Sequence, residues 1–149
     1  MIASGANEPP AALMVLSDAD AVALLRSHHL GRVAFAHESW PVILPVNYAY
    51  DDPNVVVRIG RGAMLESVPL HATAFEIDEA SPDGEWGWSV LVQGPAFDIT
   101  EATDERSIGL RHLVLTQSAP GVHEYWLEIS AVRLSGRYFG RKPGVDGTV

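Results

Sequence analysis

The chain contains no cysteine. Disulfides, cysteine-ligated zinc, iron–sulfur clusters and thiol nucleophiles are therefore excluded. Cations are scarce as well: 10 Lys and Arg stand against 19 Asp and Glu, a net charge of −9. A duplex nucleic acid is a poor partner for such a chain, because binding it means neutralising many phosphates. One small anion held by a local arginine cluster remains compatible. No apolar run approaches the roughly 18 residues that span a membrane, and no basic stretch precedes an apolar one at the N-terminus. The expectation is a cytoplasmic protein with no membrane partner. His-x-x-x-His and similar metal spacings are missing, as are a Gly-x-Ser-x-Gly frame, a Walker loop and a Gly-x-Gly-x-x-Gly turn. No metal site is expected, and no catalytic acid, base or nucleophile stands out.

What is present is a 149-residue chain with 47% hydrophobic and 19% charged residues, enough for one domain with a real core. Its organising stretch is residues 41–62, PVILPVNYAYDDPNVVVRIGRG. Val42, Leu44, Val46, Tyr48 and Tyr50 recur at period two, the signature of a half-buried strand. Asp51, Asp52, Pro53 and Asn54 form a turn, and Val55, Val56, Val57 and Ile59 a second strand. Arg58, Gly60, Arg61 and Gly62 follow at once. Guanidinium groups pair phosphate oxygens, and glycines let backbone N–H groups come close to an anion. An ordinary solvated hairpin end has the same composition, so the loop alone does not decide.

Residues 1–12 read as a flexible leader, 13–142 as a single domain and 143–149 as a mobile tail. Ser17 predicts a helix start, with Asp18 and Asp20 in the first turn and Gly31 as its stop. Strands are expected at 32–36, 70–79, 86–100 and 123–134. Gly94-Pro95 is expected to mark a kink. One helical turn is expected over 62–68 and a longer helix, capped by Thr103, over 103–117. In the 70–79 strand, His71, Thr73, Phe75 and Ile77 face one way and Ala72, Ala74, Glu76 and Asp78 the other. The small residues suggest that another layer comes close. Short connections imply antiparallel pairing, and a closed or nearly closed barrel hides the strand edges.

Leu30-Gly31-Arg32-Val33-Ala34, then Trp40-Pro41-x-x-x-Pro45-Val46-Asn47-Tyr48, then the strand and loop 55–62, and later Ser89-Val90-Leu91-Val92-Gln93-Gly94 occur in this order. Over about residues 16–140 the chain resembles the flavin-binding split-barrel superfamily. That superfamily includes pyridoxamine 5′-phosphate oxidases, nitroimidazole-resistance proteins and actinobacterial deazaflavin-dependent reductases. The resemblance implies a mainly β fold, a six-stranded antiparallel split barrel with two or three peripheral helices, forming a homodimer. It implies a flavin in the groove between subunits, with Pro45, Val46, Asn47 and Tyr48 beside the ring. Arg58, Gly60, Arg61 and Gly62 would hold the phosphate, and the strand from Trp88 to Gln93 would complete the site, partly from the partner subunit. Arg137 would be a further anion contact across the dimer, or a basic tail residue balancing an acidic chain. The implied cofactor is flavin mononucleotide (FMN), with the deazaflavin F420 as the alternative. The implied activity is hydride or electron transfer to a small molecule. A carrier that binds a cofactor without turnover is the other possibility. The chain departs from the family's pattern in two places. A Lys expected soon after the Gly-Arg pair is replaced by Gly62, Ala63 and Met64, and Arg137-Tyr138-Phe139 lacks the His of an Arg-x-His pair. Oxidation of vitamin B6 is therefore not expected.

Other residues carry alternatives of their own. Trp86 and Trp88, two apart, would stack on a ring or fill the core. Glu76 and Asp78 read as same-strand neighbours on a solvent face, and His71 as a possible proton donor.

Overall fold

Ser17 caps the first helix. In the computed structural model, which describes residues 12–113 and 124–144, its hydroxyl accepts from the Asp20 amide at 3.1 Å, and helix α1 runs Asp18–Ser27. The acids of the first turn face the positive end of the helix dipole. Gly31 does not stop this helix, contrary to expectation. It lies inside strand β2, Leu30–His37. A Cβ there would stand 2.4 Å from the Phe75 ring. Gly31 is small so that Phe75 can cross the strand.

The organising stretch is a hairpin of β3, Trp40–Asp51, and β4, Asn54–Ile59, in antiparallel register from Tyr48↔Val57 to Asp51↔Asn54. The expected helical turn is α2, Ala63–Ser67. Strand β5, Ala72–Ala80, and strand β6, Gly87–Asp98, follow. The two-residue strand β1, Met14–Val15, carries no periodic signal in the sequence and was not expected.

Two expectations fail near the C-terminal end. Helix α3 spans only Glu105–Leu110 among the described residues, and its cap is Asp104, not Thr103. The Asp104 carboxylate accepts from the Ser107 amide at 2.9 Å. The remainder of the expected helix, residues 114–117, lies outside the described residues, as do His123, residues 1–11 of the expected leader and 145–149 of the expected tail. The single strand expected at 123–134 is two strands, β7, Tyr125–Ile129, and β8, Arg133–Phe139. They part because they pair with different stretches of the same neighbour.

That neighbour is β6. Its residues 87–93 pair with β8 and 87–95 with β5, while Ala96, Phe97 and Asp98 pair with β7. The exchange of partners falls at the expected kink, Gly94-Pro95. It closes β6, β5, β2, β3, β4 and β7 into a six-stranded antiparallel barrel, with β8 and β1 added outside β6. Closure pairs edges that an open sheet would expose. The barrel is filled by Val33, Phe75, Ile77, Val90, Val92, Leu127 and Ile129, and α1 seals one side through Leu24 and Leu25. A second, smaller core of Val56, Ile99, Leu110 and Trp126 lies under α3.

Two tyrosines of β3 give the fold an alkaline limit. Tyr48 is 3% exposed, and burial pushes its phenol well above the usual tyrosine range. Burial, then the charge of Asp52, pushes Tyr50 up from 10.0 to about 12. The folded chain holds these protons where the unfolded chain releases them. Their contribution is complete below pH 10 and is lost as pH rises beyond it. Urea midpoints should fall from about pH 10 upwards, and less steeply in Tyr48→Phe. Equal slopes for the two proteins would contradict this.

Candidate functional site

Side chains alternate across β3. Val46 and Tyr48 point inward, and the Tyr48 hydroxyl donates to the Leu25 carbonyl at 2.8 Å. Pro45 and Asn47 therefore face outward. Strand β2 lies along one side of β3 from Trp40 to Asn47, with Pro45 beside Arg32 and Asn47 beside Leu30. On the other side β4 pairs only from Tyr48 onward. Residues 40–47 thus have a backbone edge with no strand partner among the described residues, the split in the barrel wall. The register of the hairpin, continued by one residue, sets Arg58 opposite Asn47. Gly60, Arg61 and Gly62 leave the strand at that point.

Both arginines are held by aromatic rings. Arg58 lies 5.5 Å from the centre of the Trp126 ring. Arg61 lies 5.7 Å from that of Tyr125 and donates to its hydroxyl at 2.7 Å. Stacking fixes a guanidinium without neutralising it. Among the described residues neither arginine makes a salt bridge; Arg26, Arg32, Arg106 and Lys142 do, and Arg111, Arg133, Arg137 and Arg141 do not. Two fixed cations with no carboxylate, next to the glycines of the loop, suit an anion. Asn47 points to a ligand group of another kind, a donor: its Oδ1 is buried and has no hydrogen-bond partner among the described residues.

The outer face next to this edge is apolar. Ala34 sits between Ile43 and Ala74, Ala36 beside Pro41, and Ala74 beside Gln93. Methyl side chains there leave a hollow of about 730 Å³, reaching Val132 and Arg133, within the size range of small-molecule sites. Farther along the face, Arg32 bonds Glu76 at 3.0 Å and also Asp78. Burial and the neighbouring Asp78 raise the Glu76 carboxyl, and Arg32 opposes them. These two acids share a strand face as expected, and they claim Arg32 for themselves.

Pro45 and Asn47 thus share the outer face, Arg58 follows opposite Asn47 in the continued register, and Gly60, Arg61 and Gly62 come next in the chain. Arg58 and Arg61 rest on successive β7 residues, Trp126 of the smaller core and Tyr125 against the barrel core, and Gln93 lines the hollow. Within one chain the other candidates lie elsewhere. The side chains of Val46 and Tyr48 are in the core, so only their backbone faces the edge. Trp88 is 5% exposed and packs edge-on against His28, 5.0 Å between ring centres. It faces the core because it is in phase with Val90 and Val92, while Gln93 is out of phase with them. Trp86 precedes the strand, and Arg141 lies over its ring. Arg137 pairs with Ser89 and lines a separate hollow with Asp78 and Tyr138. His71 is exposed and its Nδ1 lies 2.9 Å from the Pro69 carbonyl. Arg133 was missed, since nothing in its spacing sets it apart. The alanines of β2 and β5 were legible only as a small-residue stripe. Among the described residues no three His, Asp or Glu side chains converge on a metal-sized point, and no helix is long and apolar enough to cross a membrane.

Comparison with known proteins agrees with this fold. The profile of the pyridoxamine 5′-phosphate oxidase family matches residues 17–138. This chain belongs to the pyridoxamine 5′-phosphate oxidase family. Membership places it in the flavin-binding split-barrel superfamily. Among solved structures, the FAD-binding protein of Mycobacterium smegmatis superposes with a TM-score of 0.65 at 25% identity, covering 86% of this chain and 99% of that one. A FAD-binding protein of Mesorhizobium loti gives a TM-score of 0.68 at 21% identity, over 88% of this chain and 99% of that one, a likeness of fold. In sequence, the uncharacterised Mycobacterium tuberculosis protein Rv0080 is 34% identical over 89 residues, 55% of this chain. The match spans 58% of that relative's length.

Proposed function

We propose that this family member is a flavin-dependent oxidoreductase, with FMN as its cofactor and a homodimer as its working form. The observation that carries the reading is the pair Arg58 and Arg61, fixed on aromatic rings, without carboxylate partners, beside the open edge of β3. The residues present fit the group. A flavin brings a phosphate for two guanidiniums, a flat apolar ring for a methyl-paved face and polar ring edges for an unpaired strand edge. When bound, the flavin supplies the hydride or electron transfer. The chain's own part is to clamp the phosphate, orient the ring along residues 45–48 and keep water from the alanine face. None of these tasks needs a titrating side chain.

FAD has the same ring and also carries phosphate, and the FAD-binding neighbour at 25% identity supports a flavin of either kind. The missing Arg-x-His pair argues against pyridoxamine phosphate as the substrate. The homodimer rests on exposed apolar side chains around this hollow: Ile43 is 64% exposed and Val132 71%, with Trp40, 75% exposed, at the start of the same strand.

The test is to load the protein with FMN, FAD or F420, remove free cofactor, and follow reduction of a quinone or dye by a nicotinamide donor. The expected outcome is a yellow FMN complex that turns over and sediments at twice the 16.1 kDa chain mass. Retained cofactor that never changes redox state would make the protein a carrier. F420 retained in place of a flavin would replace the cofactor. No retention of any of them would overturn the reading.

A further inference from the structure

We infer that the side-chain carbonyl of Asn47 reads an imide N–H on the bound ring, and so makes recognition of the ring as well as of the phosphate. This rests on the flavin reading above. The Oδ1 atom is buried, and no group among the described residues donates to it. A buried acceptor without a donor is unfavourable, and native structures supply one from protein, water or ligand. The neighbouring elements do not provide it. Leu30, its partner on β2, has no side-chain donor. Arg58, opposite in the continued register, is turned onto Trp126. With no donor among the described residues, a ligand on this edge is the donor the inference assigns.

Position says what kind of donor fits. Asn47 is the last residue of β3 before β4 begins to pair, and it borders the strand edge left open from residue 40. A ligand along that edge meets backbone N–H and C=O groups and then the Asn47 carbonyl. The pyrimidine end of a flavin offers a matching pattern, one imide N–H flanked by two carbonyl oxygens. Asn, unlike Asp, accepts from that N–H without placing a negative charge beside the two carbonyls. A phosphate or carboxylate has no donor to offer. The atom therefore selects for the ring and not for the acidic end of the ligand.

The experiment compares FMN with 3-methyl-FMN, in which the imide N–H is replaced by N–CH₃, by fluorescence titration against the wild type and Asn47→Ala. The expected result is a loss of roughly tenfold or more on methylation in the wild type, and at most about a twofold loss in Asn47→Ala. In addition, ¹⁵N-labelled FMN on the wild type should show a slowed exchange of the N3 proton. If Asn47→Ala does not fold, the two wild-type measurements still decide. Equal affinity for both flavins in the wild type, or an equal methyl penalty in both proteins, would overturn the inference. So would a rapidly exchanging N3 proton, which would leave water as the donor to Asn47. Failure of either flavin to bind the wild type would instead overturn the cofactor reading.

Discussion

Gly94→Ala is expected to destabilise the barrel by about 3 kcal/mol or more, at the upper end of overpacking costs. A Cβ at this position would stand 1.8 Å from the Ser130 carbonyl oxygen and 3.1 Å from the Val132 amide nitrogen. Both are backbone atoms, so no side chain can rotate away. They belong to the crossing that carries β7 into β8. That crossing is pinned on either side of Gly94: the Val132 amide donates to the Gln93 carbonyl and the Ser130 amide to the Pro95 carbonyl, each at 2.9 Å. A methyl group there would push apart the place where β6 changes partners and the ring closes. Gly109→Ala, in α3, is the control. No described atom outside the helix lies within 4 Å of its Cβ, and in the last turn of a short helix alanine should gain less than the about 1 kcal/mol of a helix interior. Urea unfolding of the two variants checks the account. A Gly94→Ala midpoint equal to that of the wild type would contradict it.

Replacing Arg58 and Arg61 together by alanine is expected to produce the largest functional loss. A hydrogen bond to a charged group contributes about 1.5–3 kcal/mol, so each single change should weaken FMN binding about 10- to 100-fold, and the pair by more. Riboflavin, which lacks the phosphate, should bind the wild type weakly and the double variant no worse. The loss should shrink as salt rises, because exposed charges are screened. Stability should change by less than about 1 kcal/mol, since both guanidiniums are at the surface and make no salt bridge among the described residues. A double variant that still prefers FMN over riboflavin as the wild type does would move the anion site elsewhere.

Much of the fold was legible because the chain obeys period two where it forms strands. The hairpin of β3 and β4, the two faces of β5 and a break in β6 at Gly94-Pro95 follow from alternation and from glycine next to proline; that β6 changes partners there did not. The failures have local causes. Gly31 looks like a helix stop, but its smallness serves Phe75, a contact 44 residues away that no local pattern reveals. Asp104 outcompetes Thr103 as a cap, and neighbouring residues with equal capping chemistry are separated only by backbone conformation. The apolar run through 125–134 reads as one strand, because the break at residues 130–132 depends on where β6 bends. At the candidate site, the arginine and glycine loop and Asn47 could be read from type and order. Trp88 and Arg137 could not be placed, because a side chain's face depends on the phase of its strand and on which neighbour pairs with it. The aromatic supports Trp126 and Tyr125 lie far along the chain, and only the β4–β7 register brings them under the arginines.

The central claim is a location: the ring along the open edge of β3 and the phosphate on Arg58 and Arg61. A crystal structure of the protein with FMN tests it most directly. The account predicts phosphate density within hydrogen-bond distance of both guanidiniums, with the ring against Pro45 and Asn47. Density for the flavin elsewhere on the barrel, or a phosphate that touches neither arginine, would contradict it.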